Sequence, residues 1–296
     1  VQIATATEKT KSLVPSETLH IRNATGNIYG TNYADPDISL QKADIFKVRA
    51  VYMGTSTTDA TPPLVSYKDG SNAIPTETFQ PGETITGSNG AIARVISGTN
   101  THNASVNATN SAGADSTRTA SIVYLTTKTF TAGTTITGSQ LSTNDTLTVH
   151  SVNAGTTNIL SDFQIDNGMR DTFYDIGRLS RKAGSTSPTG RLFIVYDYFT
   201  HGAGDYFSVD SYPVGTSTES ISYEEIPLYS AQRVDPDTIS PTGEYELRDS
   251  VDFRPRVGDV DIPTLVNDGS GVMSAAELNL TSMSAFQFPK RSFSAG

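Results

Sequence analysis

Short alternating runs of apolar and polar residues, separated by turn clusters, recur along this chain. In "DIFKVRAVYM" (Asp44–Met53) the alternation predicts a strand with Phe46, Val48, Ala50 and Tyr52 toward the core and Ile45, Lys47, Arg49 and Val51 on the other face. In "RLFIVYDYF" (Arg191–Phe199), Leu192, Ile194, Tyr196 and Tyr198 share one face, and Phe193, Val195, Asp197 and Phe199 share the other. Both faces are largely apolar. Such a run predicts a central strand covered on both sides, by a second sheet or by a neighbouring subunit. The glycines of "HGAGD" stand where the chain must reverse, and "YFSVD" (206–210) reads as the return strand of a long hairpin.

The first 50 residues mix polar and apolar positions, and "SETLHIRNATGNIYGTNY" (16–33) carries two glycine turns that predict a short β-ribbon. Further along, "FQPGETITGS" from Phe79 recurs as "FTAGTTITGS" from Phe130, an offset of 51 residues. Two copies are too few for a solenoid, so they read as two similar strand-and-turn corners of one small barrel or sandwich. Each leads into more strand, "AIARVIS" and "DTLTVHSV". Between them, Ser97–Ala120 has Val106 as its one large apolar residue and reads as a long exposed loop; its sequons at Asn103 and Asn107 reflect its Asn and Thr content. In "DFQIDNGMRDTFYDIGRLSRKAG" (162–184), Phe173, Tyr174, Ile176 and Leu179 could line one side of a brief helical turn, limited by Gly168 and Gly177.

Together these runs predict a mainly all-β chain of sandwich-like or barrel-like modules with long loops and little helix. We divide it into an N-terminal ribbon and strand segment (1–78), a repeat-bearing β module (79–160), a third β domain (161–262) and a C-terminal extension (263–296).

Composition narrows the chemistry. With no Cys and no Trp in 296 residues, disulfide frameworks, cysteine-ligated zinc and thiol nucleophiles are excluded, and assembly in a reducing cytoplasm is suited. The longest apolar run near the aromatic region, Leu192–Val195, is far short of the ~20 residues of a membrane helix, so no membrane insertion is expected. A net charge of −10 argues against nucleic-acid binding. That charge is local: Asp197–Ile262 holds 14 Asp and Glu against 4 Arg and no Lys, while the remainder balances at 17 of each sign. Val1 follows neither Met nor a signal segment, and the chain ends on "FQFPKRSFSAG", so a segment of a longer polypeptide is expected.

Candidate reactive groups are few. Asp197 with Asp205 is one carboxylate pair; Glu224 and Glu225, adjacent, would point to opposite faces of a strand. His20, His102, His150 and His201 are scattered with no metal-ligand spacing, and His201 beside Gly202 reads as a polar turn residue. Asp249 with Asp252, and Asp259 with Asp261, lack the spacing of an EF-hand loop. No phosphate-binding glycine loop is present. The reading is therefore of a non-enzyme without catalytic residues, cofactor or metal.

Four segments in order, "DNGMRDTFYDIGRLSRK", "RLFIVYDYFTHGAGDYFSVDSYP", "YEEIPLY" and "YELRDSVDFRPR", resemble a domain of large virion structural proteins of T4-like tailed phages, especially those infecting cyanobacteria. The resemblance covers about Asp162–Arg256, and "GNIYGTNY" is similar to a segment that often precedes the domain. It implies a structural protein of the virion tail, at the baseplate periphery, a tail fibre or a neck appendage, assembled in the host cytoplasm. Expected partners are other copies of the chain, as a trimer, and other tail proteins. Tyr196, Tyr198, Tyr206, Phe207 and Tyr212 are the candidate subunit or ligand contacts. The alternative is an adhesin module that binds host-surface glycan through Tyr-rich strands.

Overall fold

The structure, a computed structural model, describes residues 6–24, 30–69, 79–96, 117–139, 147–170, 173–217, 219–234 and 239–246, with backbone only from 228 onward. The chain is all-β. Its first strands are β1 (Lys11–Ile21), β2 (Asp37–Ala43) and β3 (Ile45–Met53). Then come β4 (Leu64–Asp69), β5 (Thr84–Gly87), β6 (Ile92–Val95), β7 (Arg118–Tyr124), β8 (Thr135–Gly138) and β9 (Leu147–Asn153). The remainder are β10 (Thr157–Asn158), β11 (Phe163–Asp166), β12 (Ile176–Arg181), β13 (Leu192–His201), β14 (Leu228–Val234) and β15 (Ile239–Glu246).

A four-stranded sheet, ordered β1-β13-β3-β10, packs on a three-stranded sheet, ordered β11-β12-β2. Ile38 and Leu40 of β2, Phe163 of β11 and Leu179 of β12 interlock with Leu192, Ile194, Tyr196 and Tyr198 of β13 between them. This is the first face read from the sequence, and it lies in a sandwich core. The second face of β13 has three zones. Phe193 and Val195 pack with Tyr52, Ala60, Ile96 and Val123, where the barrel described below meets the sheet. Phe199 packs with Tyr174, Phe207, Tyr212, Ile221 and Ile226, so the chain after β13 folds back as a cover. Asp197 sits between the two. Both faces of β13 are thus covered by the chain itself, without recourse to a neighbouring subunit.

The barrel closes in the order β4-β7-β6-β5-β8-β9. The two sequence repeats supply β5 and β8, which pair with each other: Ile85 faces Gly138, Thr86 faces Thr137 and Gly87 faces Ile136. The pairing is reciprocal in the side chains too. A Cβ on Gly138 would strike Phe79 of the first repeat, and one on Gly87 would lie 2.9 Å from Phe130 of the second. Each repeat's glycine thus makes room for the other repeat's phenylalanine. Phe79 also packs on Tyr67 of β4 at 4.8 Å, as Phe130 does on Tyr124 of β7 at 5.6 Å.

Several expectations require correction. The alternation read for β3 breaks at two bulges, where Arg49 and Phe46 are extra residues opposite β13. Val48 thereby joins Ile45 and Val51 in the sandwich core, while Ala50 and Tyr52 face the barrel. The brief helical turn expected after Asp162 is a strand pair, β11 with β12; Gly168, at φ +86°, makes its turn, and Leu160–Asp162 is one 3-10 turn. No hairpin returns from β13, because β1 and β3 already occupy its two edges. Residues 206–210 instead form a bridge with Glu8 and a 3-10 turn at Val209–Ser211, capped by Ser208. Within the predicted ribbon at 16–33, β1 runs to Ile21 and a bridge joins Asn23 to Asn32. The exposed loop read through Ala120 gives way at Arg118 to β7, where Ala120 is buried; Val106 and both sequons lie outside the described residues.

Strand pairing also crosses the segment divisions. β4, from the first segment, closes the barrel; β1 and β3 pair with β13 of the third, and β10 pairs with β3. The extension at 263–296 lies outside the described residues.

Candidate functional site

Asp197 is an acid placed midway along a ten-residue strand whose first eight positions are all buried. A carboxylate there requires partners. Both flanking strands deform to supply them. β1 bulges between Val14 and Glu17 and puts Ser16 at φ 55°, aiming its N–H at Asp197 Oδ1 at 2.8 Å. The bulge residue of β3, Arg49, reaches Asp197 Oδ2 through Nε at 2.7 Å and Nη2 at 2.5 Å. Arg94, from the barrel strand β6, adds Nη1 at 3.2 Å. Burial lowers the Arg94 pKa and Asp197 opposes that shift. One carboxylate therefore joins both parts of the fold.

A second buried group surrounds Lys11. Its Nζ lies 2.6 Å from Asp44 Oδ2 and 3.1 Å from the Tyr174 hydroxyl, and it stands over four rings: Tyr174 (4.4 Å), Phe207 (4.7 Å), Tyr212 (4.7 Å) and Phe199 (5.6 Å). Cation–π attraction of this kind strengthens on desolvation. His201 Nε2 lies 2.6 Å from the same Asp44 oxygen. Burial pushes the Asp44 carboxyl up, but the Lys11 charge and the His201 contact outweigh it, and the pKa falls to about 2. A third acid, Asp166, is fully buried and held by Arg170 at 2.7 Å and Arg178 at 3.3 Å.

These placements decide the candidate residues. Asp197 and Asp205 do not form a carboxylate pair: Asp197 is sealed among arginines, and Asp205 is exposed, accepting from the Thr7 N–H at 2.7 Å. Glu224 and Glu225 lie in a 3-10 turn, not a strand, and Glu225 pairs with Lys47. His201 is an Asp44 partner rather than a plain turn residue; His20 stacks near Phe193 at 4.6 Å, with its pKa lowered by burial and Arg22. His102 and the aspartates at 249, 252, 259 and 261 lie outside the described residues. Among the described residues no group of three or more His, Asp or Glu is placed to hold a metal ion. No helix among them is long and apolar enough to cross a membrane.

The five aromatic contact candidates also need correction. Tyr196, Tyr198, Phe207 and Tyr212 are buried in the chain's own cores, and the Tyr196 hydroxyl donates to the Leu40 carbonyl at 2.9 Å. Only Tyr206 of the five keeps partial exposure. Apolar strand positions next to a core are covered by it unless a second surface competes, and here the barrel and the C-terminal cover occupy the second face.

One concave region was not read from the sequence. A cleft of about 420 Å³ runs along the seam between barrel and sheet, lined by Arg49 and Tyr52 of β3, Tyr124 of β7, Thr129, Phe130 and Asn158 of β10, among others. Burial and the nearby Tyr124 push the Tyr52 phenol well above its ordinary range. Its residues come from three segments, 49–63, 123–130 and 152–158, so local periodicity carries no signal for it. Compared with protein families, curated proteins and solved structures, the chain matches none.

Proposed function

We propose that this chain is a structural component of a tailed-phage virion, in the tail at the baseplate periphery, a tail fibre or a neck appendage, and that it works by subunit assembly. The sequence resemblance over 162–256 supports this reading. The observation that carries it is the use made of the charged residues. Asp197, Asp44 and Asp166 are each buried against cations of the same chain, and they bind the barrel, sandwich and C-terminal cover into one body. Such groups stiffen a part; they are not exposed to a substrate.

Two features suit assembly. Among the described residues no further strand pairs with the outer strands β1, β2 and β11, whose edges another chain can join. The ribbon of β14 with β15 pairs with no other strand among the described residues, and an isolated two-stranded ribbon is marginal in water. Neighbouring copies, three about an axis, would support it. Antibodies raised against the purified chain should decorate the tails of intact particles, and light scattering should give a multiple of the 31.5 kDa chain mass. Undecorated particles together with a monomer would end this reading.

A second reading, a glycan-binding adhesin module, no longer rests on Tyr-rich strands, which are buried. It rests on the seam cleft, whose aromatic and hydrogen-bonding lining suits a sugar.

A further inference from the structure

We propose that the seam cleft binds an acidic saccharide unit, a hexuronate of a surface polysaccharide; this rests on the adhesin reading and names its ligand class. The cleft's volume, about 420 Å³, falls in the roughly 300–1,000 Å³ range of small-ligand sites. Three of its polar groups present donors to it. Asn158 Oδ1 accepts from the N–H groups of Val51 and Leu160, both at 3.1 Å, which leaves its amide Nδ2 to donate outward. The Tyr124 hydroxyl accepts from the Phe130 N–H at 3.1 Å and retains its proton for a ligand. The Tyr52 hydroxyl has no hydrogen-bond partner among the described residues. Donors of this kind call for a ligand rich in acceptors, as hydroxyl and carboxylate oxygens are.

Charge selects the carboxylate. Arg49, which lines the cleft, directs Nε and Nη2 to Asp197 and has no partner for Nη1 among the described residues. Around it Arg49, Arg94 and Lys47 face Asp197 and Glu225, three cations to two anions. This local positive excess stands in a chain of net charge −10. An anion gains there what it would lose elsewhere on the surface. The partly exposed ring of Tyr124, backed by the buried Phe130, supplies an apolar wall for the C–H face of a pyranose.

The test is titration of the intact chain with tri-galacturonate, with galactotriose and with acetate, followed by calorimetry and by amide chemical shifts. Tri-galacturonate should bind about tenfold or more tightly than galactotriose, a difference of about 1.4 kcal/mol, and acetate should not displace it. Asn158→Asp keeps the acceptor for Val51 and Leu160 but replaces the donor by a like charge; binding should fall about tenfold or more with an unchanged melting midpoint. Tyr52→Phe should weaken binding several-fold, again without loss of stability. Binding that survives both substitutions, or equal binding of acetate, overturns the proposal. Binding of galactotriose alone overturns the acidic class and leaves the adhesin reading standing; binding of no saccharide and no host-envelope glycan removes both.

Discussion

Asp197 of β13 and Arg94 of β6 are 103 residues apart in sequence and meet at 3.2 Å, with side chains 0% and 8% exposed. Removing one member of such a pair leaves the other buried and uncompensated. Asp197→Ala should therefore destabilise the protein by about 3–5 kcal/mol, measured by urea unfolding. Arg94→Met should be milder, because Arg49 still neutralises the carboxylate. Equal, small losses for the two would mean that the ion pair does not couple barrel to sheet.

Asp44 gives a pH dependence of definite sign. Its folded pKa, about 2, is below the ordinary 3.8, so its carboxylate form is favoured by folding. The contribution is full above pH 4 and disappears as pH falls through 2, with a size of roughly 2 kcal/mol. Asp44→Asn should unfold more easily at neutral pH, and the stability gap between it and the parent should shrink between pH 4 and pH 2. A gap that stays constant across that window would contradict the Lys11–Asp44–His201 assignment.

The repeat glycines should be sensitive to a single methyl group. Gly138→Ala would drive a Cβ into Phe79 and the Glu83 carboxylate, and Gly87→Ala into Phe130 and Asn89. Each should cost about 1–3 kcal/mol in denaturant unfolding, the typical penalty for overpacking. Gly133→Ala, with open space beside it but φ +85°, isolates the backbone contribution as a control.

Tyr196→Phe separates a core role from a contact role. The lost hydroxyl leaves the Leu40 carbonyl without its partner at 2.9 Å, so stability should drop by about 1–2 kcal/mol. Oligomeric state, read by light scattering, should not change. A variant of unaltered stability but weakened association would return Tyr196 to an interface.

By itself the sequence determined the all-β class, the two-faced central strand at 192–199 and the kinship of the segments from Phe79 and Phe130. Each rests on periodicity or identity within a short window, which backbone geometry translates directly into strand and face. A charged residue inside an apolar run, as with Asp197 and Arg94, also signals a buried partner, although not which one. Only the tertiary structure decided the rest. The faces of β3 turn on two bulges, one of which carries Arg49 to Asp197, a long-range contact that alternation does not record. The return strand after β13 does not form because β1 and β3 take both edges, and the aromatic candidates are core because the β11-β12-β2 sheet covers Tyr196 and Tyr198 while Phe207 and Tyr212 pack with Phe199. Edge occupancy and face coverage are properties of the assembled chain: both edges of β13 are paired by β1 and β3, strands more than a hundred residues away in sequence, and no local pattern records that choice.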